Sequence, residues 1–238
     1  MTASAWPPLL LLVLPACAAR VAPLPAPTVE VALGGARLEV ATTEVTRAQW
    51  LAHAPADPSS NPRCPDCPVE TVSWYDAVFW ANARSAADGL QACYVLDGCV
   101  ARPSRPASVN GRETGLLCAS VTPVPGCDGW RLPTREEWAV LSPLGAEELT
   151  RRVVGDHAVW SGNSTDRPWR VASRAPNPHG LYDTVGNVDE WLENPAPPRE
   201  KASKGAVEDP RWYATAATCY GSNLRGIRDA NDEAEAGS

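Results

Sequence analysis

Carboxylates crowd one short stretch of this chain. In GLYDTVGNVDEW, residues 180–191, Asp183, Asp189 and Glu190 surround a Gly186-Asn187 turn. Leu181, Tyr182, Val185, Val188 and Trp191 are threaded between them. Glycine and asparagine at this density suit neither a plain helix nor a plain strand. A tight acidic loop can offer a hard cation both side-chain and carbonyl oxygens. An acidic turn without metal has the same spacing, and from spacing alone it is the simpler reading.

Thiols are the other reactive groups. The eight cysteines are Cys17, Cys64, Cys67, Cys93, Cys99, Cys118, Cys127 and Cys219. WPPLLLLVLPAC carries an apolar core, Leu9 to Leu14, too short to span a bilayer. It reads as an export signal over residues 1–16, and LPAC resembles a bacterial lipoprotein cleavage site with Cys17 as the lipidated residue. No Lys or Arg precedes the apolar run, and Pro15 is unusual two positions before the cysteine. Export places the chain in an oxidising compartment, where disulfides are the default. Cys64, Cys67, Cys93, Cys99, Cys118 and Cys127 are the disulfide candidates, which leaves one free thiol. Cys64-Pro-Asp-Cys67 lacks a matching second half-site for zinc, so a local disulfide or pairing elsewhere is expected. Cys93, Cys99, Cys118 and Cys127 bracket a Pro/Gly/Ser/Arg-rich insertion that they are expected to staple, in a connectivity left open.

Other chemistry is thin. His53, His157 and His179 are scattered, and no helix carries a His/Glu metal pattern. There is no phosphate loop and no Ser-His-Asp arrangement. The Asn163 sequon is uninformative in a bacterial lipoprotein.

Elements that position these groups follow from pattern. With 238 residues, 44% of them hydrophobic, the chain can bury the core of one domain or two small ones. A formal charge of −7 argues against nucleic acid as a partner. Ten Trp, 24 Pro and 17 Gly imply a loop-rich core with short helices. Residues 17–27 form a Pro/Ala-rich tether suited to holding a domain, residues 28–238, off a membrane. TVEVALGGARLEVATTEVT alternates apolar and polar residues around Gly34-Gly35, a hairpin signal. A helix is expected after Thr46, carrying Trp50. A second is capped by Ser73 and Asp76 and stops at Gly89, with Ala77, Val78 and Ala81 on one face. A third is capped by Thr134 with Glu137 reaching back, and Trp138 and Leu141 point inward. After about residue 155 only loops and short strands are expected.

Four segments then fall into one order: EVTRAQW, PVETVSWYDAVFWANARSAADGL, GWRLPTREEWAVL and PNPHGLYDTVGNVDEW. Together they resemble the formylglycine-generating-enzyme, or sulfatase-modifying-factor, domain from about residue 28 to the end. The resemblance implies an α+β variant of the C-type-lectin-like fold, with short antiparallel strands, two main helices and many loops. It also implies that the 180–191 loop wraps a calcium ion. Asp183 and Glu190 would give carboxylates, and Gly186 and Val188 carbonyls. Asn187 would tie the turn, and Tyr182 and Trp191 would anchor it. Asp189 departs from the family, which has tryptophan there.

Family enzymes oxidise a sulfatase cysteine to formylglycine with copper held by two cysteines five residues apart. Cys219 matches the second of these. Ala214 stands at the first, and the neighbouring Thr215 and Ala216 offer no thiolate. Cu(I) selects soft thiolates, and one is not a pair. The family's closing strand ends in G-F-R, whereas this chain runs into the acidic DANDEAEAGS, so that strand is expected to be missing or diverged. The resemblance therefore supports a non-catalytic binding or scaffold module with a calcium loop, no copper, a lipid anchor at Cys17, and a peptide, glycan or protein ligand. The alternative is an active formylglycine-forming oxidase with Cys219 as a catalytic residue.

Overall fold

The computed structural model describes residues 27–60, 64–102, 115–142, 155–160, 163–164, 167–193, 222–223 and 227–229. The leader with Cys17, and the stretch with Ala214 and Cys219, lie outside them.

The alternating N-terminal segment folds as the expected hairpin. Strand β1 (Thr28–Leu33) pairs antiparallel with β2 (Ala36–Ala41), with Val31 opposite Leu38. Gly34 and Gly35 form the turn at φ 58° and 92°, a left-handed backbone that glycine adopts without a Cβ clash. Val31, Leu38 and Val40 face a small core with Leu141 and Leu181.

Helices α1 (Arg47–His53), α2 (Trp74–Ala87) and α3 (Arg135–Leu141) begin with the same device. Thr46, Ser73 and Thr134 each accept the N–H of the third helical residue, while Gln49, Asp76 and Glu137 reach back to the cap. Each reciprocal pair satisfies two donors that a helix start leaves orphaned. Ala77, Val78 and Ala81 are buried on one face of α2, within a core that also holds Trp50, Trp74, Trp80, Tyr94, Trp130 and Leu132.

Between α2 and α3 the insertion makes two ribbons. Strand β3 (Tyr94–Asp97) pairs with β6 (Ser120–Pro123), and β4 (Val100–Arg102) with β5 (Gly115–Leu117). Disulfides Cys93–Cys127 and Cys99–Cys118 close them, as the bracketing cysteines implied. The insertion docks on the first turn of α2, where Asp76 Oδ1 accepts the Leu116 N–H at 2.8 Å. Gly115 allows that approach, because a Cβ there would stand 2.2 Å from Asp76 Oδ2.

One expectation for the C-terminal part needs correction: residues 155–157 are helical. Further on, β9 (Ile227–Asp229) pairs antiparallel with β2, placing Ile227 opposite Val40 and Asp229 opposite Leu38. The GIRD stretch keeps enough extended, β-branched character to cover the open edge of β2 before the acidic tail begins. The short strands β7 (Asp189–Glu190) and β8 (Ser222–Asn223) pair in parallel.

The tryptophans act as loop fasteners as well as core. Trp50 Nε1 donates to Ala56 O at 2.9 Å, Trp74 Nε1 to Leu192 O at 2.9 Å, and Trp191 Nε1 to Val72 O at 3.0 Å. A buried indole supplies apolar area and one donor, which suits a fold whose loops must find partners for their carbonyls.

Candidate functional site

The 180–191 loop is drawn into the protein interior. Leu181, Asp183, Val188 and Glu190 are at most 2% exposed, and Trp191 and Gly186 are also buried. Asp189 and Tyr182 are half-buried, and the Tyr182 N–H donates to Thr42 O at 2.8 Å, beside β2. The left-handed positions are Gly180 (φ 78°), Asp183 (φ 60°) and Asn187 (φ 68°), not Gly186. Asp and Asn tolerate this region better than other chiral residues. The Gly186 N–H closes the turn onto Asp183 O at 3.4 Å.

Asn187 is the hub of the loop. Its side-chain Nδ2 donates to Glu44 Oε2 at 2.7 Å and to Trp169 O at 3.3 Å, and its Oδ1 accepts the Trp169 N–H at 2.9 Å. Its backbone N–H donates to Val159 O at 2.7 Å. The next residue completes the grip: the Val188 N–H donates to Glu44 Oε1 at 3.1 Å. Glu44 and Asn187 are both fully buried. A buried carboxylate is costly to desolvate unless hydrogen-bonded, and this loop provides two donors. Asn187 thus ties the turn, as expected, but ties it to the first helix's approach segment as well. Sequence reasoning missed Glu44 as the partner. Its signal was present: a glutamate in EVTRAQW between apolar and β-branched residues that face inward.

Asp183 faces another segment. Its Oδ2 accepts the Ala172 N–H at 2.7 Å. The preceding residues lead on to the Cys64–Cys67 loop, where Val171 N–H donates to Asp66 O and Arg170 pairs with Asp66 Oδ2, both at 3.0 Å. Cys64 and Cys67 form a local disulfide, and Cys67 O and Pro65 O accept the Arg47 and Ala48 N–H groups in the first turn of α1. Asn177, also missed, joins the loop to the end of α3 by donating to Leu141 O at 2.7 Å while its Oδ1 accepts from Leu181 and His179.

The four positions expected around calcium, Asp183, Gly186, Val188 and Glu190, all lie buried in one loop. Their oxygen-only chemistry fits a hard cation. Asn187 is not in that set, because its amide is spent on Glu44 and Trp169. Among the described residues no three His, Cys, Asp or Glu side chains form a metal cluster, so any cation here would depend on carbonyl ligands. The described residues offer copper no free thiol, because Cys64, Cys67, Cys93, Cys99, Cys118 and Cys127 are all taken in disulfides.

Known proteins resemble this chain to different extents. The chain is 31% identical to a chaperone protein LppX of Paenibacillus barcinonensis over 170 residues, 62% of this chain and 59% of that one. It therefore spans about three-fifths of that relative's length. Variable protein 1 of Treponema denticola superposes with a TM-score of 0.58 at 20% identity, over 81% of this chain and 84% of that one. The crystal structure of CarF superposes with a TM-score of 0.55 at 23% identity, over 86% and 98%. The family described as sulfatase-modifying factor enzyme 1-like domain matches residues 26–231, and the chain belongs to that family.

Proposed function

We propose that this protein is an exported binding or scaffold module that keeps the family's fold and calcium loop and has no copper oxidase chemistry. The observation that carries the reading is the thiol inventory. Cys219 has alanine where the family's partner cysteine stands, and the six described cysteines are oxidised in pairs. A disulfide sulfur supplies no thiolate, so a two-thiolate copper site has nothing to draw on. The relative named as a chaperone protein is in keeping with a module that holds a partner rather than transforms it.

Calcium is part of this proposal. Asp183 and Glu190 would give carboxylates and Gly186 and Val188 carbonyls, and the ion would neutralise charge buried in the loop. Export and anchoring also belong to it. The three disulfides favour an oxidising compartment, and no helix among the described residues is long and apolar enough to cross a membrane. A lipid at Cys17 would supply attachment. Cys17→Ser should then move the protein from the membrane to the soluble fraction, and an unchanged distribution would remove the anchor.

The thiol argument is tested by loading purified protein with Cu(I) and dialysing against a modest chelator. The reading expects well under one copper per chain. Retention of one copper, lost in Cys219→Ala, would restore the oxidase alternative.

A further inference from the structure

The segment that Asn187 holds has chemistry the calcium loop does not use. RPWRVASR, residues 167–174, brings Arg167, Arg170 and Arg174 into one short segment with Trp169 in a chain of net charge −7. Trp169 is 37% exposed, which is unusual where so many indoles are buried. Its backbone is fixed at both ends by the Asn187 amide, so the ring is presented from a rigid base. The Arg174 guanidinium lies 5.0 Å from the ring centroid, stacked on it. Among the described residues Arg170 pairs with Asp66 on the surface, the two side chains being 72% and 61% exposed. Such a pair is weak and exchangeable.

Among the described residues, Arg174 Nε and Trp160 Nε1 are buried donors with no hydrogen-bond partner. Arg174 stacks on Trp169, and Trp160 follows Val159 in the chain, whose carbonyl accepts the Asn187 N–H. Native proteins leave few buried donors unpaired, and each calls for an acceptor. Guanidinium and indole only donate, so the matching group is an acceptor, and the guanidinium charge favours an anionic one. The exposed indole adds a flat apolar face beside that anion. Within residues 167–188 there is no strand edge against which an extended peptide could pair. A ring with an apolar C–H face and a carboxylate meets both demands.

We infer that Trp169, Arg174, Arg167 and Arg170 form a binding surface for a uronate-type acidic saccharide, its ring on Trp169 and its carboxylate on the arginines. This rests on the binding-module reading and names the ligand class for it.

The test is calorimetric titration of the folded, calcium-loaded protein with tetragalacturonate, a neutral galactose tetramer and tetraglutamate. The saccharide acid should bind, with the other two at least tenfold weaker. Trp169→Ala and Arg174→Gln should each weaken binding at least tenfold while circular dichroism stays unchanged, since the Asn187 bonds use only the Trp169 backbone. No binding by folded wild type, equal binding by both variants, or equal affinity for tetraglutamate would each overturn the inference. None of these readouts involves copper or a substrate cysteine. A protein that binds tetragalacturonate and also makes aldehyde would end the non-catalytic reading and keep this one. One that does neither would end this one alone.

Discussion

Glu44 and Asn187, 143 residues apart, meet in the protein interior, with Asn187 Nδ2 2.7 Å from Glu44 Oε2. Neither side chain is exposed, and the Val188 N–H reaches the other carboxylate oxygen. The contact joins the segment before α1 to the loop that carries the candidate calcium ligands. It also fixes Trp169 through the same amide.

Asn187→Ala should therefore be among the most damaging single changes in the loop. It removes a donor from a buried carboxylate and orphans the Trp169 amide, at roughly 3 kcal/mol in all. Asn187 also sits at φ 68°, a conformation alanine resists. Urea denaturation measures the loss. A change below about 0.5 kcal/mol would mean that Glu44 is satisfied without Asn187.

The acid limb of stability should depend on Arg131 and Glu137. Arg131 Nη1 and Nη2 donate to the two Glu137 oxygens at 2.8 and 2.7 Å. Burial pushes the Glu137 carboxyl up, but Arg131 and the Thr134 cap more than offset it and hold it below the ordinary 4.5. A depressed folded pKa gives stability that is present above the unfolded value and is lost as pH falls through the folded one. Glu137→Gln should thus cost roughly 1 kcal/mol at pH 7 and flatten the fall of stability below pH 4.5. An unaltered acid slope would remove Glu137 from that limb.

The insertion's staples should matter in proportion to the loop they close. Cys93–Cys127 spans 34 residues in sequence. Replacing both cysteines by serine should cost about 4 kcal/mol on the chain-entropy account. Non-reducing peptide mapping checks the pairing, and chemical denaturation the cost. Recovery of Cys93 joined to Cys118 would contradict the connectivity described here.

Much of this architecture was legible because local chemistry dictated it. The hairpin at Gly34-Gly35 and the caps at Thr46, Ser73 and Thr134 depend on neighbours within a few residues, and they form as their spacing implies. The family motifs placed Asp183 to Glu190 in one buried loop. What spacing could not convey was pairing across the chain. Glu44 with Asn187, and Asn177 with Leu141, are contacts between distant segments. The closing segment reads as missing or diverged because its family ending is altered and an acidic tail follows. Even so, the ladder against β2 needs only extended backbone over Ile227–Asp229.

Calcium should stabilise the fold by mass action, by about 2.7 kcal/mol at a hundred times its dissociation constant. Chelation should lower the melting temperature, and Glu190→Ala should abolish that response. A folded protein whose melting curve ignores the chelator would remove calcium from the proposal.

Mass spectrometry of a Cys-x-Pro-x-Arg peptide incubated with the purified protein, Cu(I) and oxygen decides between a binding module and an oxidase. With Ala214 five residues before Cys219 in sequence, where the family has a second cysteine, and Cys64, Cys67, Cys93, Cys99, Cys118 and Cys127 oxidised, a binding module leaves the peptide cysteine unchanged while its circular dichroism is intact. Aldehyde at that cysteine, formed by the wild type and lost in Cys219→Ala, would contradict that reading.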